Sequence, residues 1–413
     1  MENKINKHFC IQPFVNTTTR VNGDNFSCCN IPQSNKQSNI RTESPQQFFN
    51  SNYTKQFRKK LLDGEKLTEC GLCQLQEKKS NNSHRIEYNK YYKIQNNQPK
   101  EYYHKIINSL RIPELENPLY SDLHISNLCN LKCLSCNDKD SSKFHAENKL
   151  LNNSQFPDDN FSATTSKMLD AINSVITNDL LFLDVRGGET LMVPEVKKVL
   201  MEISDERASK ITLKIQTNGN VVPDDDWCKL FKKFKRTKVN VSVDAYKDAN
   251  FYIRYPSDWS KILETIEILK EQNIKFLINT VVSNLNILVL DKLFAWIQEN
   301  NHLNYFYILT SPRHYGPTNL PQSLLDIAVK RLQNVKKGFL NMECNQKLDD
   351  LIEMCKTSDQ THWNSFCKEI LMRDNFRKNN IADVIPEIGQ HLENFKITVN
   401  NRKENNAEVQ RNQ

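Results

Sequence analysis

Three cysteines, Cys129, Cys133 and Cys136, give the strongest chemical signal in this sequence of 413 residues. Three and then two residues separate them, and they follow a run of strand-forming residues that ends at Ser126. Three thiolates this close together can bind one metal centre jointly. Zinc would need a fourth protein ligand, for which His124 is the nearest candidate. An iron-sulfur cube held by three cysteines would instead leave one iron open to a substrate or cofactor.

A second signal is the pair Gly187 and Gly188, followed by the carboxylate of Glu189. The pair ends a predicted strand, and a predicted helix opens soon afterwards at Pro194. The whole chain contains only 9 glycines, so two adjacent ones need a reason. We expect the backbone here to come so close to a ligand that no Cβ is tolerated.

Polar residues also end the next predicted strands. Asn218 and Gly219 follow the third strand, Ser242 lies at the end of the fourth, and Arg254 comes shortly after it. Arginine is chemically suited to bind a carboxylate. A surface position is an equally good interpretation of Arg254 from sequence alone.

Together these segments resemble the radical S-adenosylmethionine (SAM) superfamily over about residues 120 to 321. In that family the three cysteines of a CxxxCxxC motif ligate a 4Fe-4S cluster, whose open iron chelates the amino and carboxylate groups of SAM. The resemblance implies that the cluster ligands are Cys129, Cys133 and Cys136. It implies that the cofactor-binding residues are Gly187, Gly188, Glu189, Asn218, Ser242 and Arg254. It does not identify a residue as a catalytic acid or base.

The same region predicts an α/β fold, because short strand-like runs alternate with amphipathic helical stretches. The predicted strands are Leu123–Ser126, Leu181–Val185, Ile211–Gln216, Val239–Val243, Phe276–Val282 and Tyr305–Leu309. The resemblance implies that they form a partial (βα)6 TIM-like barrel, with chemistry at the carboxyl ends of the strands. We therefore predict a barrel domain over 113–322 and a helical C-terminal extension over 323–413 that ends in a disordered tail from Asn400 onwards.

A polar segment over 1–112 carries five more cysteines and shows little periodicity, so we expect bound metal to supply most of its stability. They are Cys10, Cys28, Cys29, Cys70 and Cys73. The spacing of Cys10, Gly23 and Cys28, with the pair Cys70 and Cys73, resembles the twitch and SPASM domains of the same superfamily. This implies a small N-terminal iron-sulfur domain with an auxiliary 4Fe-4S cluster on Cys10, Cys28, Cys70 and Cys73. Cys29 is an alternative to Cys28 as a ligand of this cluster, and zinc is an alternative to iron as the bound metal.

The composition limits which cellular compartment and which binding partners we expect. No apolar run approaches the roughly 20 residues of a membrane span, and the first residues lack a secretory signal, so we expect a cytoplasmic protein without membrane contact. Twelve cysteines in a reducing compartment need a role other than disulfides. The net charge of +7 includes a cluster at 232–238, which we interpret as a solvated helix face and not as a nucleic-acid site.

The resemblance implies an enzyme that cleaves SAM reductively to a 5′-deoxyadenosyl radical, which abstracts hydrogen from a substrate. Relatives with twitch or SPASM domains often modify peptides, so a peptide or protein substrate is expected. The alternative is a small molecule such as a sugar or alcohol. A flavodoxin- or ferredoxin-type protein would be the reductant. A zinc-binding nucleic-acid module and a pseudoenzyme that keeps its clusters for structure are further alternatives.

Overall fold

The computed structural model describes residues 6–80, 83–94, 101, 104, 106, 116–153, 165–335 and 342–397. One sheet runs through this part of the chain. Its strands are β1 (Asn16–Thr19), β2 (Asp24–Phe26), β3 (Ser38–Asn39), β4 (Tyr120–His124), β5 (Phe182–Arg186), β6 (Thr212–Thr217), β7 (Arg236–Ser242), β8 (Lys275–Val282) and β9 (Asn304–Ile308). Their order in the sheet is β3-β2-β1-β4-β5-β6-β7-β8-β9.

Helices connect and cover the strands. Before β4 they are α1 (Gln12–Val15), α2 (Pro45–Phe49), α3 (Asn52–Leu62), α4 (Gly71–Ser80) and α5 (His84–Ile94). Among the parallel strands they are α6 (Ser142–Leu150), α7 (Thr165–Val175), α8 (Pro194–Glu202), α9 (Asp205–Ala208), α10 (Asp225–Lys233), α11 (Asp248–Ile253), α12 (Trp259–Glu271) and α13 (Leu290–Glu299). After β9 come α14 (Gln322–Gln333), α15 (Met342–Met354), α16 (Trp363–Arg377) and α17 over 386–397.

Strands β4 to β9 are all parallel to their neighbours, which confirms the predicted parallel α/β sheet. Successive side chains of a strand point to opposite faces. One face of β6 carries Leu213 and Ile215, which are fully buried in the main hydrophobic core. The other face carries polar side chains such as Lys214 and Gln216. We call this polar face, on β4 to β9, the inner face.

The N-terminal segment extends the same sheet, which the sequence did not predict. Strand β1 pairs in parallel with β4, with Thr18 opposite Asp122, and β2 and β3 continue the sheet as antiparallel strands. A separate hydrophobic cluster supports this edge and includes the buried side chains of Phe14, Phe26 and Phe57. Apolar packing therefore stabilises this segment together with any bound metal, and the expectation that metal supplies most of its stability missed this cluster.

The chain after β9 is helical in the part that the structure describes. Helix α15 packs against β9, and α16 contacts the segment Arg313–Tyr315 that follows β9. The predicted disordered tail and the predicted domain boundary between residues 112 and 113 both lie outside the described residues. None of the described helices is both long and apolar enough to cross a membrane.

Arg58 ties the N-terminal elements together and gives a test of their packing. Its buried guanidinium donates from Nε to the carbonyl of Pro13 at 2.7 Å and from Nη2 to the carbonyl of Phe49 at 2.7 Å. It also lies 4.1 Å from the centroid of the Phe49 ring.

We expect Arg58→Met to lower the free energy of unfolding by about 2–4 kcal/mol, because two buried carbonyl groups lose a charged donor. Urea denaturation followed by circular dichroism measures this loss. Lys59→Met, at the exposed neighbouring position, should leave the midpoint within error. Equal midpoints for the two variants would contradict the role assigned to Arg58.

Candidate functional site

The loop with Cys129, Cys133 and Cys136 leads from β4 to α6, and hydrogen bonds to other segments hold it. The amide of Cys129 donates to Ser142 Oγ at 3.2 Å. Further along, the amide of Lys132 donates to the carbonyl of Tyr255 at 2.6 Å, and that of Leu134 donates to the carbonyl of Ile253 at 2.8 Å. The structure thus fixes the backbone around all three predicted cluster ligands.

Burial dominates the electrostatics of the three thiols. It raises the pKa of Cys133 to about 11, an effect that the nearby Arg254 opposes and the neighbouring thiol of Cys129 reinforces. Burial also raises the pKa of Cys136 well above the usual value, with Asp140 and Cys133 adding to the effect. A metal centre that binds these thiols would therefore have to displace their protons.

Gly187 and Gly188 lie against the start of the cysteine loop. A Cβ on Gly187 would stand 2.3 Å from the carbonyl oxygen of Ser126, and one on Gly188 would stand 2.5 Å from that of Leu128. The amide of Gly188 donates to the Ser126 carbonyl at 2.6 Å, and that of Glu189 donates to the Leu128 carbonyl at 2.7 Å. The loop itself therefore explains the two glycines, where the sequence had suggested a ligand. Their predicted contact with SAM stays a prediction.

Glu189 is fully buried and organises the turn after β6. Its Oε2 accepts a hydrogen bond from the amide of Asn218 at 2.7 Å, and its Oε1 accepts from Thr217 Oγ1 at 2.8 Å and from the amide of Leu191 at 3.1 Å. Burial raises the pKa of Glu189 to about 7, although these hydrogen bonds lower it. The carboxylate thus joins the segment after β5 to the turn after β6.

Asn218 connects this turn to the cysteine loop. Its Nδ2 donates to Asn130 Oδ1 at 2.8 Å and lies 4.0 Å from the sulfur of Cys129. Gly219, the next residue, has a φ of +74°, a conformation that favours glycine. The structure therefore brings Asn218 close to the thiol of Cys129, and its predicted contact with SAM stays a prediction.

Arg254 also lies beside the thiols, and one of its nitrogen atoms has no hydrogen-bond partner in the described part of the chain. Its Nη1 donates to Asp244 Oδ2 at 2.9 Å. Its Nε is buried and forms no hydrogen bond to any residue that the structure describes. Burial disfavours the charged guanidinium, but Cys133 and Asp244 together raise the pKa of Arg254. This buried cation fits a negatively charged ligand group next to the cysteine loop.

Ser242 has a different neighbour. Its Oγ accepts a hydrogen bond from Gln216 Nε2 at 3.3 Å on the inner face. Among the predicted cofactor contacts, Ser242 is thus tied to β6, whereas Arg254 is tied to Asp244. The alternative zinc ligand His124 lies on β4 with its Nε2 3.5 Å from Asp122 Oδ1. No three His, Cys, Asp or Glu side chains within the described ranges form a group that could hold a single metal ion.

Helix α16 holds the cysteine loop through a buried charge cluster that the sequence analysis missed. Glu147 on α6 accepts hydrogen bonds from Arg373 Nη1 at 2.5 Å and from Arg377 Nη2 at 2.7 Å, and it pairs with Lys132 at 3.0 Å. Arg377 Nη2 also donates to the backbone carbonyl of Lys132 at 2.7 Å. The spacing of the two arginines, four residues apart on one helix, is the signal that could have revealed them.

The N-terminal thiols form a second group. Cys10, Cys28, Cys70 and Cys73 line one cavity together with Asn30. The amide of Asn30 lies 3.5 Å from the sulfur of Cys28, and its Nδ2 lies 3.6 Å from the sulfur of Cys73. The four thiols that the sequence grouped therefore meet at one place.

Cys29 is oriented differently from Cys28. It does not line the cavity of the four thiols. Its pKa is lowered by a hydrogen bond from Cys28, and the charges that act on it include those of Asp122, Arg186 and Arg20. Cys29 thus lies near charged residues at the inner face, and this geometry favours Cys28 as the fourth thiol of the group.

A family model described as the Radical SAM superfamily matches residues 123–291. The match spans β4 to the start of α13 and includes the cysteine loop, the glycine pair and Arg254. The GTP 3′,8-cyclase of Clostridium acetobutylicum is 29% identical over 166 residues, which are 40% of this chain and 47% of that protein. The GTP 3′,8-cyclase of Clostridium perfringens is 26% identical over 165 residues. The chain spans about half the length of these curated relatives.

Solved structures with bound S-adenosylmethionine are also similar. Native anSMEcpe with bound AdoMet covers 57% of this chain and 62% of its own, with 20% identity and a TM-score of 0.38. Streptococcus suis SuiB bound to S-adenosylmethionine covers 58% of this chain and 54% of its own, with 16% identity and a TM-score of 0.38. The similarity to the radical SAM superfamily thus rests on the sequence match over residues 123–291.

The close approach at Gly188 can be tested without any cofactor. We expect Gly188→Ala to lower the free energy of unfolding by about 1–3 kcal/mol, because the new methyl group meets backbone atoms that must shift. The thiols of the displaced loop should also react faster with a thiol reagent in metal-free protein. Gly71→Ala is the matched control, since nothing lies within 4 Å of its Cβ position. Equal thiol reactivity in the two variants would disprove the anchoring role of Gly188.

Proposed function

We propose that the chain is a radical SAM enzyme with a 4Fe-4S cluster on Cys129, Cys133 and Cys136. The observation that carries this proposal is the convergence of three thiols, a guanidinium whose buried Nε has no hydrogen bond among the described residues, and the anchored glycine pair at the carboxyl ends of β4, β5 and β7. When bound and reduced, the cluster would cleave SAM to a 5′-deoxyadenosyl radical that takes hydrogen from the substrate.

The residues of the site fit this cofactor pair. Three thiols on one anchored loop match a cluster that keeps one iron open. Arg254 is a suitable partner for the carboxylate of SAM, because its Nε is buried without a hydrogen bond among the described residues and its charge is held by Asp244. Glu189 would keep the Asn218 turn in place beside the loop. Gly187 and Gly188 would let the cysteine loop approach the end of β5 closely, because neither residue carries a side chain.

The proposal includes a twitch-like auxiliary cluster on Cys10, Cys28, Cys70 and Cys73. It is supported by the shared cavity of the four thiols and by the two nitrogen atoms of Asn30 beside Cys28 and Cys73. Hydrogen bonds to cluster sulfurs tune reduction potentials, so Asn30 is placed to do this. All twelve cysteines are free thiols, which fits a reducing compartment such as the cytoplasm.

We further propose a peptide or protein as the substrate and a flavodoxin- or ferredoxin-type protein as the electron donor. A cavity of about 590 Å³ lies between α4, α5, β9 and the C-terminal helices. Asn30 lines this cavity as well as the cavity of the N-terminal thiols, so a bound segment would lie one residue away from the auxiliary site. Leu75 and Tyr307 expose apolar surface at its walls. A cavity of this size accommodates several side chains of a peptide.

Iron analysis after anaerobic reconstitution tests both clusters. We expect about eight irons in the native protein and about four after replacing Cys129, Cys133 and Cys136 with alanine. The pair Cys10→Ala and Cys70→Ala should likewise reduce the iron to about four. Cys228→Ala, at a buried cysteine on α10, is the control and should keep all of it. Zinc in place of iron, or no loss in the first variant, would refute the cluster assignment.

The substrate class can be tested separately. Cell extract should stimulate formation of 5′-deoxyadenosine by the reconstituted enzyme, and protease treatment of the extract should remove this stimulation. Stimulation that survives the protease and passes a filter for small molecules would replace the peptide by a small-molecule substrate. The triple cysteine variant should form no product in either case and serves as the control.

A further inference from the structure

A row of charged side chains crosses the inner face of the sheet. The strand registers place Asp122 beside Asp184, Asp184 beside Lys214, Lys214 beside Lys238, and Lys238 beside Lys275. Residues in register on neighbouring strands point to the same face and lie about 5 Å apart. Two carboxylates and three ammonium groups thus stand side by side across β4 to β8.

The two carboxylates of this row already have cationic partners. Asp122 forms a salt bridge with Arg186, and Asp184 accepts from Lys214 Nζ at 2.7 Å. Tyr120 also donates to Asp184 at 2.9 Å. These contacts compensate the negative charges of Asp122 and Asp184.

Lys214 takes part in this compensation, whereas the last two lysines of the row have no carboxylate partner within the described residues. Neither Lys238 nor Lys275 forms an ion pair with a carboxylate that the structure describes. Burial lowers the pKa of Lys238, and the charges of Arg236, Lys214 and Lys275 lower it further. Like charges directly opposite one another on neighbouring strands are destabilising. The fold therefore maintains an unfavourable concentration of positive charge here.

Part of this row faces a cavity of about 310 Å³, which Lys275 does not line. The cavity is lined by Lys214 and Lys238 and has aromatic walls, which are Tyr88, Tyr91, Tyr92, Tyr120, Phe182, Tyr305 and Tyr307. Asn240 lines it as well and is 7% exposed. Its Oδ1 is buried and has no hydrogen-bond partner among the described residues, although buried polar atoms are normally paired.

We infer that this cavity is a binding site for a small organic anion in which a phosphate or carboxylate group is attached to a flat ring. Lys238 would bind the anionic group, with Lys214 beside it on the cavity wall, because ammonium groups bind phosphate and carboxylate through charge-assisted hydrogen bonds. The tyrosine walls would contact the ring. Asn240 Oδ1 would accept a hydrogen bond from a hydroxyl or amino group of the ligand.

The site is separate from the thiols of the cysteine loop. Lys275 is the first residue of β8, and Lys238 is the third of β7, so the row lies toward the amino ends of these strands. The cysteine loop instead follows the carboxyl end of β4. The inference therefore goes beyond the proposed function and does not depend on a bound cluster.

The experiment is calorimetric titration of the metal-free full chain at low salt with phenyl phosphate, benzoate and inorganic phosphate. We expect phenyl phosphate or benzoate to bind more tightly than inorganic phosphate, because only they offer a ring. Lys238→Met should weaken this binding about tenfold or more. Lys229→Met is the matched control at an exposed position of α10, where Lys229 pairs with Asp226, and it should not change the affinity.

The outcomes distinguish a phosphate ligand from a carboxylate ligand. They also distinguish failure of this binding site from failure of the cluster assignment. Tighter binding of phenyl phosphate assigns the ligand as a phosphate, and tighter binding of benzoate assigns it as a carboxylate. Binding that is the same in the native protein and in Lys238→Met would overturn the site, provided that circular dichroism shows a folded variant. The triple alanine variant of Cys129, Cys133 and Cys136 should bind the probes normally, so failure of the cluster assignment leaves this result unaffected.

Discussion

The backbone contact between the glycine pair and the cysteine loop is the constraint on which the candidate site depends. The amides of Gly188 and Glu189 bind the carbonyl groups of Ser126 and Leu128, and neither glycine has room for a side chain. This contact fixes the distance between the cysteine loop and the end of β5. From there Glu189 holds the Asn218 turn, and the turn reaches the loop again through Asn130. Three strand ends are thereby joined into one rigid wall around the thiols.

Local patterns predicted much of this site, and non-local contacts explain what they missed. The spacing of Cys129, Cys133 and Cys136 and the six parallel strands are visible in short stretches of sequence. The pairing of β1 with β4 is not, because it joins residues about 100 positions apart and short polar strands carry little periodicity. The same holds for the contact of Arg377 with the cysteine loop, which depends on how α16 folds back.

The polar inner face could have been recognised in the sequence. In β6, Lys214 and Gln216 alternate with Leu213 and Ile215, a period-two pattern. Strands of parallel sheets usually read as continuous apolar runs, because helices cover both faces. Alternation in neighbouring parallel strands therefore indicates that one face meets a polar interior. What the sequence cannot supply is the register that aligns Lys214, Lys238 and Lys275, since register depends on the assembled sheet.

The pairing of β1 with β4 also has a consequence for how the protein is made. Ribosomes add residues in chain order at roughly 5–20 per second, so Asn16–Thr19 emerges several seconds before its partner strand. During that interval Cys10, Cys28 and Cys29 lack the sheet edge that later encloses them. Nascent chains would then expose these thiols to oxidants and to metal carriers alike. Assembly of the proposed auxiliary cluster would thus depend on timing during translation as well as on affinity.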